Sequence, residues 1–329
     1  MAKILITGGT GFIGISLVMK LYNLGHEITL LKRENSDVSP FKELSKIKYL
    51  NGDVQDIESI RNAIEGIEII YHLAAYTGIW ARKKTIYHDI NVKGTENVAM
   101  IALEKDIPLL YVSSFTALGP TPPEPVDETH DNPQFYMEYE KSKYQAKKLI
   151  KDLIPKGLKV QIYYPGIVFG PGDFNVFGRM LYDVMRGKLL GACPGKGESM
   201  TCLSYVKDLS NVLAYSFERK DLYGEDFILG GENVKFIEYL NLIAEISRGK
   251  KVKKFPFWIV MSYAWLLEVV AAFTKKTPYI TRSTLKAIKY HRAYSSKKAI
   301  EKLGYKITPL REALEETIKW YKEFETIGK

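Results

Sequence analysis

The first fourteen residues constrain this chain more than any other stretch. Lys3-Ile4-Leu5-Ile6-Thr7 is the β-branched, leucine-rich run of a buried parallel strand. It enters Gly8-Gly9-Thr10-Gly11-Phe12-Ile13-Gly14, and apolar residues then recur at helical spacing until Leu24, with Gly25 as a stop. The three spaced glycines have separate tasks. Gly8 permits a tight turn, Gly11 keeps a Cβ away from an approaching pyrophosphate, and Gly14 lets the helix pack close to the strand. The amides that open the helix then face the phosphate at the positive end of the helix dipole.

The chain continues in the same alternation. A second strand over 27–31 ends in Lys32-Arg33. The residue at that end meets the adenosine ribose, where an acid prefers the free 2′-hydroxyl of NAD and a base accommodates the 2′-phosphate of NADP. With Lys32 and Arg33 there and no acid before Glu34, the sequence predicts NADP(H) over NAD(H). A third strand over 47–51 precedes Gly52-Asp53-Val54. Asp53 is placed either to meet the adenine amino group or to cap the helix that begins near Asp56. The fourth strand, within 68–75, runs into the small-residue turn Leu73-Ala74-Ala75 beside the cofactor, and its His72 reads as a packed histidine. A helix carrying Asn91-Val92-Lys93-Gly94-Thr95 follows, then a fifth strand over 109–112 that ends at Ser113-Ser114. Prolines at 120, 122, 123, 125 and 133 make 119–133 a loop. A helix is predicted over 136–153, and a sixth strand over 159–164 breaks at Pro165-Gly166.

This order predicts a doubly wound parallel sheet with helices on both faces. Ligand and chemistry then belong at the carboxyl ends of the strands, where Ser114 and Pro165-Gly166 lie. From 174 the pattern loosens into a glycine-rich stretch over 187–197, a helix over 206–217 and an amphipathic helix over 309–324.

Composition excludes several classes. At 329 residues, 46% hydrophobic and 26% charged, the chain is an ordinary soluble globular sequence. Its net charge of +9 suits an anionic ligand. No basic run is interleaved with aromatics, so nucleic acid is not an expected partner. The two cysteines, Cys193 and Cys202, have neither metal-ligand spacing nor secretory context. They read as reduced thiols of a cytoplasmic protein without a metal. The N-terminus leads straight into a strand, so no signal peptide is expected.

Tyr139 and Lys143 lie four apart on the predicted helix and share a face. An ammonium beside a phenol lowers its pKa from about 10 and makes a proton donor to a carbonyl, or an acceptor from an alcohol. Ser114 can reach the same oxygen from its strand end. Tyr144 and Lys148 repeat the spacing, but five residues further is about 500°, so that pair points roughly 140° away. Spacing alone does not choose between them.

The chain resembles an extended short-chain dehydrogenase/reductase of the epimerase/dehydratase superfamily. Seven motifs match in order and cover nearly the whole chain. They are the opening Thr7 to Gly14, Gly52-Asp53-Val54, His72-Leu73-Ala74-Ala75, Asn91-Val92-Lys93-Gly94-Thr95, Val112-Ser113-Ser114, Tyr139-Glu140-Lys141-Ser142-Lys143, and Tyr164-Pro165-Gly166-Ile167-Val168-Phe169-Gly170-Pro171-Gly172-Asp173. A closing pattern, Tyr294-Ser295-Ser296-Lys297-Lys298-Ala299 with Leu303-Gly304-Tyr305, also matches. The register implied selects Tyr139 over Tyr144. The chain is most similar to the dihydroflavonol-4-reductase-like and 3β-hydroxysteroid-dehydrogenase-like branch. It departs at Tyr164, where many members have arginine, and at Lys147, where glutamate is usual.

The resemblance implies a Rossmann domain over 1–172, completed by about 203–230, with a smaller mixed substrate-binding region over 173–202 and 231–329. It implies a cofactor held by Gly8, Gly11, Phe12, Ile13, Gly14, Lys32, Arg33, Asp53, Val54, Leu73, Ala74, Ala75, Tyr139, Lys143, Pro165, Gly166 and Val168. Ser114, Tyr139 and Lys143 would be catalytic, with Thr116 and Tyr164 toward the substrate. The implied reaction is hydride transfer between NADPH and a ketone or aldehyde, by a monomer or homodimer. Rival readings are a nucleotide-sugar epimerase or dehydratase with tightly bound NAD, and a dinucleotide-binding regulator without chemistry.

The least ordinary stretch is 255–273, apolar nearly all round with only Ser262, Tyr263 and Glu268 polar, and lysine-rich on both sides. It is short for a spanning helix and carries a glutamate. We expect a helix buried in the substrate-binding region that lines an apolar pocket for an apolar substrate. Contact with a membrane surface is the alternative.

Overall fold

The computed structural model describes residues 1–188 and 193–327. Part of the glycine-rich stretch, 189–192, and the last two residues of the expected substrate-binding region, 328–329, lie outside the described residues.

The first half alternates as the sequence predicts. Strands and helices follow as β1 (Lys3–Thr7), α1 (Phe12–Asn23), β2 (Glu27–Lys32), β3 (Ile47–Asn51), α2 (Ile57–Ala63), β4 (Ile69–His72), α3 (Thr85–His88), α4 (Gly94–Glu104), β5 (Leu109–Val112), α5 (Glu138–Leu153) and β6 (Val160–Pro165). After it come β7 (Ile167–Phe169), α6 (Val176–Met185), β8 (Cys193–Pro194), β9 (Met200–Tyr205), α7 (Val206–Ser216) and β10 (Asp226–Leu229). The chain closes with β11 (Asn233–Lys235), α8 (Phe236–Ile246), β12 (Lys254–Phe255), α9 (Phe257–Thr274), α10 (Arg282–Ile288), α11 (Lys297–Leu303) and α12 (Leu310–Ile327).

Seven parallel strands form one sheet in the order β10-β6-β5-β4-β1-β2-β3. Helices cover both faces, which is why its central strands read as continuous apolar runs. On β1, Leu5 enters one apolar layer while Ile4 and Ile6 enter the other. On β5, Leu109 and Tyr111 face the first layer and Leu110 and Val112 the second. The strand order reverses between β1 and β4, and this places a ligand crevice at their carboxyl ends.

A separate mixed sheet, β11-β9-β7, pairs antiparallel on one side of β9 and parallel on the other. With α6, α8 and α12 it encloses a third apolar cluster built on Phe169, Leu181, Tyr239 and Leu314.

The expected burial of 255–273 is overturned. Residues 257–274 are helical, yet only Ala264 and Ala271 of α9 are buried. Trp258 is 70% exposed and Phe273 82%. The helix packs on the short α10, and among the described residues no layer covers its outer side. High apolar content does not by itself bring a covering layer.

Candidate active site

The glycine turn stands at the point where the strand order reverses. Gly8 has a left-handed φ of +75°, and a Cβ on it would lie 2.5 Å from the Ala74 nitrogen. The first and fourth strand ends thus close on each other here, and the Leu73 amide donates to the Thr7 carbonyl at 3.0 Å. A Cβ on Gly14 would lie 2.2 Å from the Gly8 oxygen, so α1 meets the turn backbone to backbone. A Cβ on Gly11 would touch only the Gly8 oxygen, at 3.3 Å, which leaves its other side open. No side chain caps α1, so the first-turn amides of Phe12 and Ile13 are presented outward.

Lys32 closes β2, where its ammonium donates to Asn51 Oδ1 at 2.7 Å. Arg33 beside it is exposed. Asp53 does not cap α2. Its Oδ1 accepts the Gln55 amide at 2.9 Å, while Asp56 caps the helix through the Glu58 amide at 3.1 Å. Val54 is buried against Gly94, the first residue of α4. His72 is fully enclosed between Thr7 Oγ1 at 2.7 Å and Thr95 Oγ1 at 3.0 Å, and burial holds its pKa down at about 3. It is the packed histidine the sequence predicts.

Ser114, Tyr139 and Lys143 meet at the carboxyl end of β5. Lys143 is buried, and its ammonium donates to the Val112 carbonyl at 3.3 Å, tying α5 to the strand end. Ser114 follows two residues later, also buried. Its Oγ accepts the Thr116 hydroxyl at 2.9 Å and the Thr116 amide at 3.2 Å. The Thr116 hydroxyl is therefore engaged in orienting Ser114. Tyr139 lies one turn before Lys143, half-buried and within hydrogen-bond reach of Ser114.

Burial raises the Tyr139 pKa to about 12; the Ser114 hydrogen bond opposes this and the Glu140 carboxylate adds to it. The expected lowering by Lys143 is not found, because the ammonium is turned to Val112 and the Tyr111 ring, 5.4 Å from its centroid. Burial pulls Lys143 itself down to about 8. At neutral pH the phenol keeps its proton, the state required of an acid.

One sequence expectation fails here, and one holds. Tyr164 does not face the crevice. It is fully enclosed on β6, between β5 and β10, with its hydroxyl 3.2 Å from Asp226. The second tyrosine–lysine pair points away. Tyr144 turns to Asp131, which also pairs with the buried Lys147 at 2.6 Å, and Lys148 is exposed. Lys147, a departure in sequence, is thus matched by its own carboxylate. Pro165 and Gly166 are buried, with the Gly166 amide donating to Ser204 Oγ at 2.8 Å; Val168 is half-buried.

Sequence reading missed two supports of this site. Asn91, on a π-type turn at 89–93, donates to Ser142 Oγ at 2.9 Å and accepts the Tyr76 amide at 2.7 Å. Ser142 in turn donates to the Tyr139 carbonyl at 2.8 Å. Glu140, 1% exposed, pairs with Arg292 at 2.5 Å and accepts the amides of Tyr136 and Met137. A glutamate at the third position of a helix is a legible reach-back signal. Its partner, 152 residues away, is not.

Residues 4–230 match the NAD dependent epimerase/dehydratase family. The chain belongs to this family. It is an NAD(P)-dependent enzyme of the extended short-chain dehydrogenase/reductase type. A Synechocystis sp. protein provisionally named dihydroflavonol 4-reductase is 26% identical, over 96% of this chain and 93% of that protein. Sterol demethylase protein B of Methylococcus capsulatus is also 26% identical, over 97% and 98%. Among solved structures, gox2253 superposes with a TM-score of 0.81 at 31% identity, covering 98% of this chain and 99% of that one.

Proposed function

We propose that this family member is an NADPH-dependent reductase that converts a ketone or aldehyde of a small apolar substrate to the alcohol. The observation that supports the reading is a half-buried Tyr139 within hydrogen-bond reach of Ser114, at the strand end where Lys143 is anchored. With its pKa held near 12 the phenol keeps its proton at neutral pH, and a developing alkoxide, more basic still, can take it.

The residues fit a dinucleotide, because Gly8 and Gly14 admit no side chain while Gly11 opens outward. The amides from Gly11 to Gly14 would hold the pyrophosphate, and Asp53 and Val54 the adenine side. Leu73, Ala74 and Ala75 would line the wall, with Pro165, Gly166 and Val168 near the nicotinamide. Lys143 would hold the adjacent ribose. When bound, the dinucleotide supplies the hydride. Ser114, fixed by Thr116, would orient the carbonyl, and Tyr139 would give it a proton.

The choice of NADPH rests on Lys32 and Arg33 at the end of β2. Among the described residues Arg33 has no carboxylate partner, and a guanidinium binds a phosphate in a bidentate fork. An apolar substrate is supported by relatives whose names refer to a sterol and a dihydroflavonol. The test is NADPH oxidation against a panel of apolar ketones, aldehydes and nucleotide sugars. Stoichiometric NADPH consumption with an apolar carbonyl is expected. Conversion of a nucleotide sugar without net consumption would replace this reading by epimerase chemistry.

A further inference from the structure

We propose that α9 seats the protein on an anionic lipid bilayer, lying in the headgroup layer and not crossing it. The proposal is independent of the reductase reading.

Its outer face is apolar except for Ser262 and, among the described residues, uncovered. At roughly 100° per residue, Trp265, Trp258, Phe273, Leu266, Ile259 and Val270 fall on one arc of about 140°. All six are exposed, Trp265 at 53%. Large exposed apolar patches mark interaction sites, and tryptophans favour the boundary between hydrocarbon and water.

Charge identifies the partner. Between residues 247 and 300 the chain has thirteen lysines and arginines and one carboxylate, Glu268. That segment carries +12, so the rest of the +9 chain sums to −3. Lys250, Lys251, Lys253 and Lys254 are exposed before the helix, and Lys275 and Lys276 after it. An apolar face between two cationic ends fits acyl chains with anionic headgroups at either side. A second copy of this chain would bring the same lysines against each other, a like-charge cost with no acid to relieve it.

The glutamate that argues against a membrane helix is removed from the face. Glu268 lies on the inner side, where it pairs with Arg282 Nε at 2.7 Å and accepts the Arg282 amide at 2.7 Å. That contact also ties the inner side of α9 to the start of α10. Directly after α10, Tyr290 stacks on Tyr136 at 4.2 Å and Arg292 pairs with Glu140. The lipid-facing element is thus joined to the catalytic helix through a short run of chain.

The experiment uses the full chain and vesicles of phosphatidylcholine with or without phosphatidylserine. Binding to the anionic vesicles is expected, weakened by high salt, with shallow brominated lipid quenching tryptophan fluorescence more than deep. Charge reversal at Lys250, Lys251, Lys275 and Lys276 (K250E, K251E, K275E, K276E) should lower binding at least about a hundredfold, since each lysine near such a surface contributes about fivefold. Trp258→Ser with Phe273→Ser should also lower it, with an unchanged melting temperature because both side chains are exposed. Indifference to phosphatidylserine overturns the proposal, as does stronger quenching from the bilayer centre. A dimer in sedimentation that those serine substitutions dissociate would assign the face to a second copy instead.

Discussion

Replacing Glu140 by glutamine should destabilise the fold by about 3–5 kcal/mol, the range for leaving one buried charge without its partner. Glu140 is 1% exposed and its two oxygens are divided. Oε1 takes Arg292 at 2.5 Å, and Oε2 takes the Tyr136 amide at 2.7 Å and the Met137 amide at 3.3 Å. A glutamine has one acceptor for these two sets of donors. Facing Arg292 it sets its own NH₂ against the amides, and facing the amides it sets that NH₂ against the guanidinium of Arg292, a residue only 7% exposed. With a urea slope near 3 kcal/mol per molar, the unfolding midpoint should fall by roughly 1–1.7 M. The double variant Glu140→Gln, Arg292→Met should recover part of the loss, because no charge is then stranded. Equilibrium urea titration followed by tryptophan fluorescence reads all three variants. A single-variant loss under about 1 kcal/mol, or a double variant less stable than Glu140→Gln alone, would refute the reasoning.

Three further outcomes are expected. Arg33→Ser should weaken NADPH binding by about 1–3 kcal/mol and leave NADH nearly unchanged in fluorescence titrations; equal losses for both would remove Arg33 from the 2′-phosphate. Tyr139→Phe should abolish turnover while cofactor still binds, and Tyr144→Phe, whose hydroxyl serves Asp131, should be nearly silent in the same steady-state assay; the opposite pattern would move the acid to Tyr144. His72 is neutral in the fold with a pKa near 3 against an ordinary 6.5, so the unfolded chain binds its proton first on acidification. Its contribution to stability is fully present above pH about 6.5 and falls toward pH 3, by roughly 4–5 kcal/mol in all; denaturation curves of wild type and His72→Gln should therefore converge as pH drops, and parallel curves would contradict it.

The sheet and the dinucleotide turn were legible because local constraints specify both. KILIT followed by spaced glycines admits few backbones, and Gly8 and Gly14 have room for nothing larger. The family register picked Tyr139, and the structure sets it within hydrogen-bond reach of Ser114. What escaped the sequence depends on contacts distant along the chain. Tyr164 stands beside Pro165 in a motif that pointed to substrate, but a strand flanked on both sides by others encloses it. Lys143 is four residues from Tyr139, yet the carbonyl of Val112 decides where its charge points. In α9, composition announced an apolar helix and could not announce that its outer side is exposed among the described residues.

The Glu140–Arg292 pair has a bearing on synthesis. At 5–20 residues per second, the 152 residues between these partners take roughly 8–30 s to emerge from a ribosome. Throughout that interval α5 lacks the arginine that later pairs with its buried carboxylate. A chain that ends before residue 292 therefore leaves the buried Glu140 carboxylate of α5 without its cationic partner.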